Sequence, residues 1–319
     1  MKFLVSLVCT LLFSIANAVE MPHELKDKTI TLVSHSVAGG WNDTLARTIA
    51  KKVEEQTKIQ IVVVNRPGAS GNIGARFVKD SLPNGLTLCH CDAQSLMFNA
   101  VTGLEGSLRP GELEGITLIR ESPLALIVPF NSEINNINQL LETHKKRELT
   151  FATIGAQITY YGVKLASFAQ SKKDLLIVPY KGDPENAIAV SQNNADFTFV
   201  GLNTAINFEQ AKRAKIIAIT SANRMPSLKD YPTIKESVDM VEFGWSGIFV
   251  PKNTPNHIKT YLNSIFANAV NSSEFKQFIA DRGGIAVSTS PQRTDNYVLN
   301  QFTTTNLDYQ KYKSILEKK

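Results

Sequence analysis

Little in this chain is suited to covalent or metal chemistry. It has 3 cysteines, 2 tryptophans and 5 histidines in 319 residues. So few cysteines exclude a domain stapled by many disulfides. Cys9 lies in the N-terminal apolar stretch, which leaves Cys89 and Cys91, two apart in the strand-like run LTLCHCDA. Their side chains share one face of such a strand. A bridge across one intervening residue is geometrically poor, so both are read as small buried hydrophobes. His23, His35, His90, His144 and His257 show no H-E-x-x-H or paired spacing, and no metal site is expected. His35, at a strand end, is read as a structural hydrogen-bonding group. GASGN and GWSGI miss the G-x-S-x-G pattern, because Asn72 and Ile248 stand where the last glycine belongs. NRPGASGNIGA lacks both the Lys-Ser/Thr pair of a P-loop and the G-x-G start of a dinucleotide fingerprint. The net charge of +5 is spread without blocks, and no basic stripe interleaved with aromatics marks a nucleic-acid surface. After the N-terminus, no apolar run reaches the roughly 18 residues of a spanning helix.

What is present begins with residues 1–18, MKFLVSLVCTLLFSIANA. A lysine, a short apolar core and Ala16-Asn17-Ala18 read as a secretory signal peptide, which predicts a periplasmic mature chain. Beyond it, strand and helix patterns alternate. TITLVSH precedes a helix from about Thr44 to Gln56, in which Leu45, Ile49 and Val53 recur at four-residue spacing. IQIVVVN is a nearly continuous apolar strand, GNIGARFVKD opens a helix, and GLTLCHC is a third strand. A new run of the same kind starts at PLALIVPF, and two C-terminal helices are expected after FGWSGIFVPKNTP. The order predicts an α/β fold with mixed, mainly parallel sheets in two domains. The first would comprise residues 19–122 and 241–319, the second 123–240, with crossings near 121–123 and 240–244.

Two strand–loop–helix junctions are the strongest binding signals. A helix start has unpaired N–H groups and partial positive charge, and glycines let an anion approach that backbone. AGGWNDT supplies Gly39 and Gly40, with Asn42 or Asp43 as N-cap. FATIGAQITYYG supplies Thr153, Gly155, Gln157 and Thr159. Placed in different domains, the two would face each other across a cleft.

AGGWNDTLAR, VVVNRPGASGNIGA, LPNGLTL, VPYKG and IAITSANRMPSLKDYPTIKE closely resemble, in order, the Bug/TctC family. These are extracytoplasmic solute-binding receptors of tripartite tricarboxylate transporters. The resemblance runs from about residue 29 to the C-terminus. It implies a Venus-flytrap fold resembling type II periplasmic binding proteins, which closes on a small organic carboxylate. It implies no cofactor, no chemistry, delivery to large and small membrane permease subunits, and a monomer. By resemblance, the ligand-binding residues are Ala38, Gly39, Gly40, Trp41, Asn42 and Asp43 at the first junction. Thr153, Ile154, Gly155, Gln157 and Thr159 form the second. Asp92, Gln94 and Ser95 follow CHC, Gly201, Asn203 and Thr204 follow DFTFV, and Tyr180 borders the cleft.

The chain also departs from the family pattern. Ala38 replaces a proline, and Trp41 replaces a third glycine. Val200 stands where relatives commonly place an aspartate able to pair with a ligand ammonium. With Ile154 and Ile158, these differences predict a carboxylate with an apolar or aromatic body rather than citrate or an amino acid. Trp41 either lies over that body or packs at the cleft rim. A sensor that docks on a kinase ectodomain is the alternative role, and an exported enzyme a remoter one.

Overall fold

The computed structural model describes residues 20–225 and 228–316, with side chains described through residue 313. The signal-peptide reading of residues 1–18 lies outside them.

The first sheet is built from β1 (Ile30–Ser34), β2 (Ile61–Asn65), β3 (Thr87–Asp92), β4 (Leu113–Ser122), β10 (Gly244–Pro251) and β11 (Ile285–Ala286), in the order β11-β4-β10-β3-β1-β2. The second contains β5 (Leu124–Pro129), β6 (Leu149–Thr153), β7 (Leu175–Pro179), β8 (Phe197–Gly201) and β9 (Ala214–Ile219), in the order β7-β6-β8-β5-β9. Strand β1 is parallel to β2 and β3, and β6 is parallel to β7 and β8. The remaining pairings are antiparallel: β10 with β3 and β4, β11 with β4, and β5 with β8 and β9. Both sheets are thus mixed, with more antiparallel pairing than expected. The cause lies in β5 and β10: each starts just after the chain has passed between sheets and enters its new sheet against its neighbours. The chain passes once between Ser122 and Leu124, and again between Ile219 and Gly244.

Helices cover both sheets: α1 (Trp41–Thr57), α2 (Asn72–Lys79), α3 (Asn99–Val101, entered through the turn Gln94–Phe98), α4 (Ile137–Lys146), α5 (Gly155–Ser167), α6 (Asp183–Ser191), α7 (Leu202–Gln210), α8 (Asn256–Asn271), α9 (Ser273–Ala280) and α10 (Pro291–Leu316). Leu45, Ile49 and Val53 of α1 are fully buried and share a core with Ile258, Leu262 and Phe266 of α8. Their spacing places them on one helix face, as their sequence pattern predicts. The C-terminal region contains three helices rather than two. The Ser272 side chain accepts the Phe275 N–H and starts α9, and the Gly283-Gly284 turn with β11 separates α9 from α10. Helix α10 does not stay on the first sheet. Its Asp308 accepts the Tyr160 hydroxyl of α5 at 2.9 Å, and Ser167 of α5 bonds Tyr312 at 2.9 Å.

Cys89 and Cys91 are fully buried, but they are joined as a disulfide rather than standing as free thiols. Their Cα atoms lie 5.4 Å apart, inside the range a bridge spans.

Candidate functional site

The first junction differs from its expected form by most of a turn. Helix α1 begins at Trp41, three residues earlier than its apolar periodicity suggests, and Gly40 is the N-cap. Asp43 is therefore inside the helix. Its carboxylate accepts the Gly39 N–H at 2.8 Å and the Asn65 side-chain amide at 2.7 Å, and it pairs with Arg47. Those bonds outweigh the burial of Asp43 and lower its pKa. Asn42 donates to Asp92 at 3.1 Å, and the same Asp92 oxygen lies 3.0 Å from His35 Nε2. The other Asp92 oxygen accepts from the Ser95 N–H and hydroxyl. Asn42 and Ser95 thus bond Asp92, which also holds His35, while Asp43 is held by Gly39, Asn65 and Arg47; the Asn42 side-chain oxygen is buried without a partner among the described residues.

That cluster explains two of the three glycines of NRPGASGNIGA; the third, Gly68, lies against Ile73. A Cβ on Gly71 would stand 2.8 Å from both His35 Cδ2 and Ser95 Cβ, and Gly71 has φ +93°. Gly74 backs directly onto His35 and the Arg66 carbonyl. Gly71→Ala combines left-handed strain with a clash against a bonded ring. It should lower the unfolding free energy by about 2–4 kcal/mol, measured by urea titration. A loss under about 0.5 kcal/mol would mean the loop yields freely.

Between the sheets lies a cavity of about 340 Å³. Trp41 lines it from the first junction, and Gly201, Asn203 and Thr204 line it at the start of α7. Gln157 and Ile158 of α5 also line it, together with Ser122, Gly244 and Gly283 beside the chain crossings. The start of α7 reaches this space through Gly201 to Thr204 and brings partial positive charge to it, whereas α1 contributes only Trp41. Ala38, Gly39, Gly40, Asn42 and Asp43 do not line it. Gln94, Ile154 and Gly155 line a neighbouring, more open cavity of about 510 Å³, shared with Gln157 and Ile158. Thr153 and Thr159 bond each other at 2.9 Å. Tyr180 packs against the core on the outer side of the second sheet and lines neither cavity.

Three charged residues that the sequence reading passed over line the 340 Å³ cavity: Arg120, Asp183 and Arg282. Arg120 is on β4, a strand the reading also omitted. Its Nε reaches Ser246 Oγ at 3.3 Å and its Nη1 reaches Ser122 Oγ at 2.6 Å. Among the described residues, no carboxylate forms an ion pair with it. Burial lowers its pKa to about 10, against the opposing charge of Asp92, and it stays cationic at neutral pH. Trp41 stacks on Phe278 at 5.8 Å, and its ring also faces the guanidiniums of Arg120 at 5.1 Å and Arg282 at 5.7 Å. Trp41 therefore packs against Phe278 and also lines the cavity. Asp183, the first residue of α6, accepts the Gly201 N–H at 2.8 Å. Burial raises its pKa, and that hydrogen bond opposes the rise. Asp183 thus brings a carboxylate from α6 to the end of β8, beside Gly201.

A separate cavity of about 300 Å³ is lined by Glu114, Asp295 and residues of β4, β10 and α10. Its acids are already engaged, Glu114 by Lys259 and Asp295 by the Gly115 N–H.

Two mixed sheets covered by helices, with a cavity between them, define a two-domain α/β fold of the periplasmic binding-protein class. The same architecture occurs in a TctC solute-binding protein from Polaromonas, with TM-score 0.80 and 20% identity over 90% of this chain and 99% of that one. An R. palustris protein solved with adipate has TM-score 0.72 and 23% identity, covering 89% and 97%. Residues 45–317 match the model of the tripartite tricarboxylate transporter family receptor, and the chain belongs to that family. Among curated relatives, a UPF0065 protein from the tcbD-tcbE intergenic region of Pseudomonas sp. (strain P51) is 26% identical over 270 residues, 83% of this chain and 80% of its own length.

Proposed function

We propose that this protein is an extracytoplasmic receptor that captures a small organic carboxylate between two domains and delivers it to large and small permease subunits. It would act as an exported, periplasmic monomer, released by cleavage after Ala18, and carry out no chemistry of its own. Residues 19–122 with 241–319 would form one domain and 123–240 the other. The observation that supports this reading most is the inter-sheet cavity in which Arg120, without a carboxylate partner among the described residues, meets the start of α7. Cationic and helix-start groups in an enclosed space favour a carboxylate. Family membership and the adipate-bound neighbour agree with that ligand class. Closure would be a population shift, with contacts to both domains favouring the closed form.

The test is a titration of the purified mature protein with a broad carboxylate panel, read by tryptophan fluorescence. Trp41 lines the cavity, whereas Trp245 is buried in the core. At least one acid should give a saturable change that its neutral amide does not and that Trp41→Phe diminishes. The bound ligand should be recovered unchanged. Saturating acid should also stabilise the fold, by about 2.7 kcal/mol at a hundredfold excess over Kd. No response to any carboxylate would defeat the proposal.

A further inference from the structure

Arg120 and Asp183 line one cavity but form no ion pair with each other. Each is short of partners. The guanidinium of Arg120 bonds only two serine hydroxyls, Ser246 and Ser122, and lies against the Trp41 ring. One oxygen of Asp183 accepts the Gly201 N–H, and the other has no hydrogen bond within the described protein. A half-buried cation and a half-buried, half-satisfied carboxylate are both costly to keep unless something else completes them. The walls are also unequal in charge: two cations, Arg120 and Arg282, face one anion, Asp183. A single carboxylate neutralises that surplus. A second one would bring another anion into the space that holds Asp183, and like charges in an enclosed site repel strongly.

Resting on the carboxylate-receptor reading, we propose that Arg120 and Asp183 select the ligand from its two ends. Arg120 takes the carboxylate, and Asp183 takes a hydrogen-bond donor, so the protein prefers monocarboxylates that carry a hydroxyl or ammonium over dicarboxylates. Such a ligand departs from the apolar-bodied one expected from Ile154, Ile158 and Trp41, and readmits the ligand ammonium that Val200 argued against. The adipate-bound relative would differ from this protein in selectivity.

The experiment uses matched short acids of the same carbon chain: the plain monocarboxylate, the ω-hydroxy acid, the ω-amino acid and the dicarboxylate. Affinities are measured by calorimetry on the mature wild-type protein, Asp183→Asn, Arg120→Gln and Arg120→Met. In the wild type, the hydroxy or amino acid should bind at least about tenfold tighter than the dicarboxylate, and which of the two wins identifies the donor. Asp183→Asn should narrow or reverse that ratio by about tenfold. Both Arg120 variants should lose about tenfold to hundredfold in affinity for every acid bound. They should also melt no lower than the wild type, since they remove a buried charge without a carboxylate partner. The inference is overturned if the dicarboxylate binds tightest and Asp183→Asn leaves the order unchanged. It is also overturned if folded Arg120 variants bind as well as the wild type. In both cases the receptor reading stands. Only the absence of any carboxylate binding across the broad panel removes the receptor reading, and this inference falls with it.

Discussion

Lys164→Met should lower the unfolding free energy by about 3 kcal/mol, near the lower end of what breaking a buried ion pair costs. Lys164 Nζ lies 2.8 Å from Glu242, 2.8 Å from Asp308 and 3.1 Å from the Tyr160 hydroxyl. The three acidic and basic groups come from α5, the segment returning to β10, and α10, so this one ammonium ties together parts of both sheet layers. Glu242 is 8% exposed on its side chain, and Asp308 is 28% exposed. Burial dominates at Glu242 and raises its pKa despite the adjacent ammonium, whereas Lys164, facing two carboxylates, titrates higher than usual. Removing the lysine leaves Glu242 buried beside a second acid. The partial exposure of Asp308 allows solvent to relieve some of the loss, which is why the lower figure applies. Lys164→Met with Glu242→Gln should recover more than half of the deficit, because it removes the stranded charge as well. Urea titrations of the wild type, both single variants and the double variant form a cycle that checks this. Equal losses in Lys164→Met and in the double variant would show that packing, not charge, is responsible.

The location gives the triad a second consequence. Tyr161, next to Tyr160, donates its hydroxyl to the Phe243 carbonyl at 3.2 Å and accepts from the Gln157 amide at 2.8 Å. Gln157 lines the ligand cavity. One face of α5 therefore connects the cavity to the returning segment just before β10.

Sequence patterns revealed the repeating features of the molecule better than the isolated ones. The α1 core face, the strand–helix alternation and the order of elements follow from periodicity, because burial repeats along a helix or strand. The NRPG-GNIGA block was conspicuous for a reason that became plain only in three dimensions: Gly71 and Gly74 make room for His35. The first junction was found, but its role was misassigned. Asn42 and Asp43 looked like caps facing a ligand, and instead they hold His35, Asp92 and Asn65 in place. Arg120 was missed because a backbone anion site announces itself by glycine, whereas a buried arginine looks like any other among 34 lysines and arginines. The strand that bears it, LEGITLIRES, ends in charged and polar residues that hide its register. Asp183 was missed because the search for an acid looked only at the end of β8, while helix α6 brings its first residue to the same point. The Cys89–Cys91 bridge depended on a local strand geometry that spacing does not encode.

Stability should peak near pH 6.5 and fall on both sides, because two adjacent histidines titrate in opposite directions. Burial works against a charge on His35. The Asp92 carboxylate and the hydrogen bonds to Asp92 and the His90 carbonyl more than offset it, and raise the pKa to about 8. The unfolded value is about 6.5. Between these values the native state holds a proton that the unfolded chain has released. The stabilisation is complete below about pH 6.5 and is lost as pH rises through 8, a total of about 2 kcal/mol. His90 is fully buried, and neither ring nitrogen has a hydrogen-bond partner. Burial, reinforced by the positive charge of His35, lowers its pKa to about 3. Below about pH 6.5 the unfolded chain takes up a proton that native His90 refuses, so stability falls as pH drops. Asp92, held well below the usual carboxylate range against its own burial by His35 and Ser95, adds to the acid limb. Glu121, Asp183, Glu242 and Asp295 have raised pKa values and pull that limb the other way, so it must be read as a difference between proteins. His35→Gln should flatten the alkaline limb between pH 6.5 and 9. His90→Leu should flatten the acid limb relative to the wild type. It should also stabilise the fold at pH 5 by about 1–3 kcal/mol, because it removes two buried nitrogens that nothing satisfies. Urea midpoints measured from pH 5 to 9 on the three proteins decide the matter. An alkaline limb that survives His35→Gln would assign it to another group, and an acid-side slope unchanged in His90→Leu would show that water or a partner reaches that ring.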